Sequence, residues 1–136
     1  MASTIRLELV TPERMVLAED VEEVVIPGYE GEFGVLPEHT LYLSIVNIGV
    51  LRYRKGGEMH KIALGGGFAE VTPGRVVVMA DTAERAGEID LDRARRAKER
   101  AEAEIKKALS IDDETYTRSS AALERAMSRI SAGEGR

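Results

Sequence analysis

The spacing of apolar residues changes once along this chain, near residues 83–88, and that change restricts what the chain can fold into. Before it, short runs alternate. In "TIRLELV", Ile5, Leu7 and Leu9 fall on one side and Arg6 and Glu8 on the other, the period of a half-buried strand. "VEEVVIPG", "GVLRYRKGG", "MHKIALGGG", "FAEVTPG" and "RVVVMAD" follow, each short, rich in β-forming residues and closed by Gly, Pro or Asp. Lys55-Gly56-Gly57 and Thr72-Pro73-Gly74 have the composition of hairpin turns. Many short strands with regular turns predict a sandwich or flattened barrel over residues 1–86. After the change, Leu91, Ala94, Ala97, Ala101, Ile105 and Ala108 recur at three- and four-residue steps, one face of a helix. Asp90 stands where that helix begins and can cap it by accepting from the N–H groups of Asp92 and Arg93. The pattern breaks at residues 110–116. It resumes with Tyr116, Ser119 or Ser120, Leu123, Met127 and Ile130 as a second face. Two helices joined by a few residues fold back on each other, so residues 87–136 are predicted to form an antiparallel hairpin. The fold class is α+β: an N-terminal antiparallel β-sandwich of about ten strands, then a two-helix hairpin.

The seam of that hairpin is mostly alanine. Each buried methyl(ene) group contributes only ~0.8 kcal/mol, so the helices should be marginal by themselves and separable from the sandwich. Composition narrows the function further. Cysteine is absent, which excludes disulfides and thiolate metal sites. No apolar run is long enough for a membrane helix, and no signal-peptide core is evident, so a cytoplasmic protein without direct membrane insertion is expected. From residue 88 onward there are eleven acids and eleven bases, and the rest of the chain carries the net charge of −5. With no basic excess in either half, nucleic acid is excluded as a partner.

The motifs of catalysis are missing. "GYEGEFGVLPEH" is glycine-rich but lies between strands, does not open a helix and lacks the Lys-Ser/Thr of a phosphate loop, so it reads as a tight loop. The glycines of "LGGGFAEV" mark a bulge or a close backbone approach within a strand. His39 and His60 stand apart with no nucleophile or metal-binding partner nearby. No enzyme, metal or required cofactor is expected. What remains is the charge on the helices. Asp92 with Arg96 and Glu102 with Lys106 are spaced for i,i+4 pairs on a solvated face. Arg93 and Arg100 share one face of the first helix, and Arg125 and Arg129 one face of the second. Folding the hairpin brings four guanidiniums towards one region, a repulsive arrangement unless an anion such as a polyphosphate is bound there.

At these residues the chain resembles the epsilon subunit of bacterial F-type ATP synthases. The likeness runs from "LVTPER" through "GYEGEFGVLPEH", "ALGGGFAEVTPGRVVVMADTAER" and "IDLDRARRAKERA" to "ALERAMSRI". It implies a non-catalytic rotor subunit, peripheral on the cytoplasmic face of the inner membrane. The sandwich would bind the gamma subunit and sit on the c-ring, with Glu30, Gly31, Glu32 and His39 at that interface. The hairpin would be a regulatory arm. Extended, it would reach the alpha/beta hexamer and block hydrolysis, with Arg118, Arg125 and Arg129 docking on acidic residues. The resemblance also covers a regulatory ATP site. Ile89-Asp90-Leu91-Asp92-Arg93-Ala94 matches the family motif, and Glu84, Arg100, Arg125 and Arg129 are its supporting positions. Glu84, Asp90 and Ala94 would approach adenine or ribose, and the four arginines the phosphates. A plain N-cap at Asp90 and an inert helix surface are the competing reading. So are a structural adaptor whose hairpin never moves and a stand-alone ATP sensor. One departure from the family is Pro37-Glu38-His39-Thr40-Leu41-Tyr42, where Pro-Gly-His-x-Pro-Leu is usual.

Overall fold

The computed structural model describes residues 4–38, 41–108, 110 and 113–134. Eight strands precede two helices among these residues: β1 (Ile5–Val10), β2 (Met15–Val21), β3 (Glu23–Gly28), β4 (Gly31–Val35), β5 (Tyr42–Lys55), β6 (Glu58–Thr72), β7 (Arg75–Ala80) and β8 (Ala83–Arg85). A single 3-10 turn, Ala86–Glu88, links them to α1 (Leu91–Lys107) and α2 (Glu114–Glu134). The strands hydrogen-bond in the order β2-β1-β7-β6-β5-β3-β4, with β8 on β6. Every pair is antiparallel except β1 with β7, which run parallel. The sandwich-plus-hairpin architecture is therefore as predicted, with eight strands in place of about ten.

The alternation in β1 is real: Ile5, Leu7 and Leu9 are buried and Arg6 is exposed. They join Val24, Ile26, Leu51, Ile62, Leu64, Val71, Val76 and Val78 in one core shared by strands β1 to β7. The long hairpin β5–β6 organises it. Gly56 and Gly57 both adopt positive φ, +60° and +80°, the conformation that lets a two-residue turn match the twist of its strands. "MHKIALGGG" and "FAEVTPG", read as two strands, are one: β6 passes straight through the glycines. Gly67 is where the backbone comes closest. A Cβ there would collide with the carbonyl oxygen of Met79 on β7, so the predicted close approach is present.

The helices lie on the β5–β6 side. The small cluster of Ala63, Ile89 and Ala132, flanked by Val50 and Leu91, ties both ends of the hairpin to the sheet. Ser128 of α2 donates its Oγ hydrogen to the carbonyl of Gly49 at 2.9 Å. The face of α2 differs from the predicted one. Ser119, Ala126, Ser128, Ala132 and Gly133 are buried, whereas Met127 is 51% exposed. Close backbone approach selects small residues here, and Gly133 is the tightest point: a Cβ would lie 2.7 Å from Leu91 Cδ2. The ion pairs shift as well. Asp92 meets Arg95 rather than Arg96, and Arg95 also reaches Glu134 of α2 at 3.1 Å. Lys107 meets Glu104 where Glu102 with Lys106 was expected.

Candidate functional site

Asp90 begins the site. Its backbone is extended, and its Oδ1 accepts the N–H of Arg93 at 3.1 Å, capping α1. Of the two predicted donors, Arg93 fills the cap. From this fixed start, Arg93, Ala94, Ala97 and Arg100 follow one side of α1 at helical spacing. Arg129 arrives from α2, Glu84 from β8 and Glu88 from the 3-10 turn. These eight side chains, Asp90 included, line a cavity of about 330 Å³ between the hairpin and the sandwich.

The charges in it are not equally committed. Arg129 donates from Nε to Glu84 Oε1 at 2.7 Å. Glu88 accepts from the N–H of Arg85 at 3.1 Å and from Arg14 Nη2 at 3.2 and 3.4 Å. Among the described residues, Arg93 and Arg100 take part in no ion pair, although they share a cavity wall. Two exposed guanidiniums without carboxylate partners, facing a concave surface, suit bidentate binding of phosphate oxygens. Alanines at 94 and 97 leave room above them.

Six of the eight residues assigned to a nucleotide site line this one cavity: Glu84, Asp90, Arg93, Ala94, Arg100 and Arg129. Ile89 does not. It is 3% exposed and packs on Ala63 and Ala132, so it pins the start of α1 to the sheet. Arg125 lines a shallow recess next door, which shares Glu84 and Arg129 with the main cavity. Glu88 and Ala97 were missed. Ala97 follows Ala94 by one helical turn and was legible as part of the same wall. Glu88 had no signal, because its place depends on Arg14, 74 residues away. Arg118 is exposed early in α2, away from both cavities.

The other assigned surface is on the β3–β4 hairpin and shares no lining residue with this cavity. Glu30, Gly31 and Glu32 form the tip of the β3–β4 hairpin and line an open depression of about 410 Å³ with Tyr29, Phe33, Tyr42, Leu43 and Ile45. Glu32 accepts two hydrogen bonds from Arg52, at 3.0 and 3.2 Å. His39 lies outside the described residues. Nearby runs a row of apolar side chains that composition had not revealed. Ile45 pairs with Phe68, and Phe68 with Met79, across three adjacent strands. All three are about half exposed, and Leu43 on the same face is 68% exposed.

With this geometry in place, similarity to known proteins is decisive. Residues 4–86 match the family model for the ATP synthase delta/epsilon chain, beta-sandwich domain, and residues 88–134 the model for its long alpha-helix domain. The chain is 51% identical to the ATP synthase epsilon chain of Syntrophobacter fumaroxidans over 98% of both chains. The chain belongs to the ATP synthase epsilon-chain family. Another member, from Nitratidesulfovibrio vulgaris, is 48% identical over 96% of each chain. Among solved structures, a chain of the Euglena gracilis mitochondrial ATP synthase, in an OSCP/F1/c-ring assembly, superposes with a TM-score of 0.83 at 28% identity. The match covers 98% of this chain and 83% of that one. No helix among the described residues is long and apolar enough to cross a membrane.

Proposed function

We propose that this chain is a non-catalytic central-stalk subunit of an F-type ATP synthase, and that its hairpin is an ATP-sensing arm that inhibits hydrolysis. The observation that carries the sensing role is the cavity of Arg93 and Arg100. Its walls come from α1, α2 and β8, so it exists only while the hairpin is folded against the sandwich. A ligand shifts a two-state equilibrium only through its differential affinity for the two states. ATP held there engages the folded arm alone. High ATP keeps the arm down and hydrolysis free. Low ATP releases it towards the alpha/beta hexamer, where Arg118 and the freed Arg125 and Arg129 meet acidic partners.

The sandwich is the fixed part of this design. The row of Ile45, Phe68 and Met79 offers the gamma subunit an apolar face, and the Glu30-Gly31-Glu32 tip lies beside it for the polar loops of the c-ring. The complex sits on the cytoplasmic face of the inner membrane. Calorimetric titration of the full chain with ATP tests the sensing role, with Arg93→Ala as control. Heat of binding in the parent chain and its loss in the variant is the expected pair. No heat in the parent chain would leave the rotor role standing and return these arginines to a solvated face.

A further inference from the structure

We infer that Glu88 and Arg14 set the affinity of this cavity for a nucleoside triphosphate, Glu88 as an opposing charge and Arg14 as a positioning residue that holds it. The inference rests on the reading of the cavity as a nucleotide site. Three carboxylates and three guanidiniums line that cavity, so it carries no net charge of its own. That is an unexpected balance for a site that would take a polyanion. How each carboxylate is held resolves it. Glu84 is engaged by Arg129, and Asp90 by the first turn of α1. Glu88 is the exception, because its cationic partner stands outside the cavity. Arg14, on the β1–β2 turn, places Nη2 within 3.2 and 3.4 Å of both Glu88 oxygens, and the N–H of Arg85 holds one of them from the linker side. Left alone, Glu88 would be free to compensate Arg93 or repel an incoming phosphate. Held by Arg14, it leaves both unpaired guanidiniums to the ligand.

The pair is poorly suited to a stabilising role. Both side chains are about half exposed, 51% and 44%, and ion pairs of that kind contribute little to folding. Its position therefore matters more for the field inside the cavity than for the fold. It also links the ligand site to the sandwich through a charge, as the Arg129–Glu84 pair does from β8.

The test is a cycle of four full-length proteins, the parent chain, Glu88→Gln, Arg14→Ala and the double variant, titrated with ATP near 0.1 M salt. Glutamine keeps an acceptor for the Arg85 N–H, so the linker is retained. Glu88→Gln should tighten binding roughly three- to tenfold, the effect of removing one nearby like charge at the dielectric of a protein surface. Arg14→Ala should weaken it by about threefold, with Arg14→Lys restoring most of the loss, and should do nothing once Glu88 is Gln. The gap between parent chain and Glu88→Gln should narrow at high salt, which a purely structural effect would not do. Unchanged or weaker binding by Glu88→Gln overturns the inference, as does an Arg14→Ala loss that persists in the double variant. If binding is abolished by Arg93→Ala but indifferent to Glu88→Gln, only this inference fails. If neither the parent chain nor Glu88→Gln binds ATP, the nucleotide reading fails and the inference with it.

Discussion

The sandwich and the hairpin bury different chemistry. The sandwich excludes Ile5, Leu7, Leu9, Ile26, Leu51 and Ile62 almost completely from water. The two helices themselves bury Ala94, Ala101, Ser119, Ala126, Ser128, Ala132 and Gly133, none larger than a serine or alanine, and Ile89 just before α1 is the one large buried side chain among the described residues of the hairpin. Fully burying a leucine-sized side chain contributes about 1.5–3 kcal/mol, and a methyl group about 0.8. One chain thus carries a firm platform and an arm held by close approach, a few polar contacts and little apolar area. The contrast suits a subunit in which one part stays docked while the other changes partners.

The contrast can be broken from either side. Leu7→Ala in the sandwich should cost about 2–5 kcal/mol, since it opens a cavity in a filled core. Its denaturant midpoint should fall for the whole chain. Gly133→Ala should cost about 1–3 kcal/mol through overpacking against Leu91 and Ile89, but only in the arm. Faster proteolysis of α2, with the sandwich transition unmoved, is the expected signature. Ser128→Ala removes the bond to Gly49 and should loosen the same helix by about 1 kcal/mol. The smallest effect is a matter of pH. The Gly57 N–H and then the Arg54 guanidinium hold the Glu22 carboxyl below its ordinary value of 4.5. A depressed folded-state pKa stabilises above the unfolded value and is lost as pH falls through the folded one. Glu22→Gln should therefore differ from the parent chain above about pH 4.5 and converge with it in acid, as followed by thermal melts.

What the sequence revealed follows the same division. β1 was legible because burial there strictly alternates, and the β5–β6 turn because two adjacent glycines accept positive φ. β2 was not, since Val16 and Leu17 are buried side by side and erase the period. β4 was taken as loop, with only Val35 fully buried among its glycines. In α2 Met127, an apolar residue of the expected face, is half exposed. A seam made by backbone approach gives hydrophobicity no means to mark its inner side. Arg93 and Arg100 could be found because helical spacing sets them on one face of α1, whereas Asp90 and Ala94 were placed in a site only by the family resemblance. Glu88 could not, because its role depends on a partner across the fold.

Hydrogen exchange, measured with and without ATP, tests the central claim most directly. The account requires α1 and α2 amides to open at lower free energy than β1, β6 and β7, and ATP to slow exchange in the helices while leaving the sandwich unchanged. Equal opening energies in both regions, or helices unaffected by ATP, would contradict it.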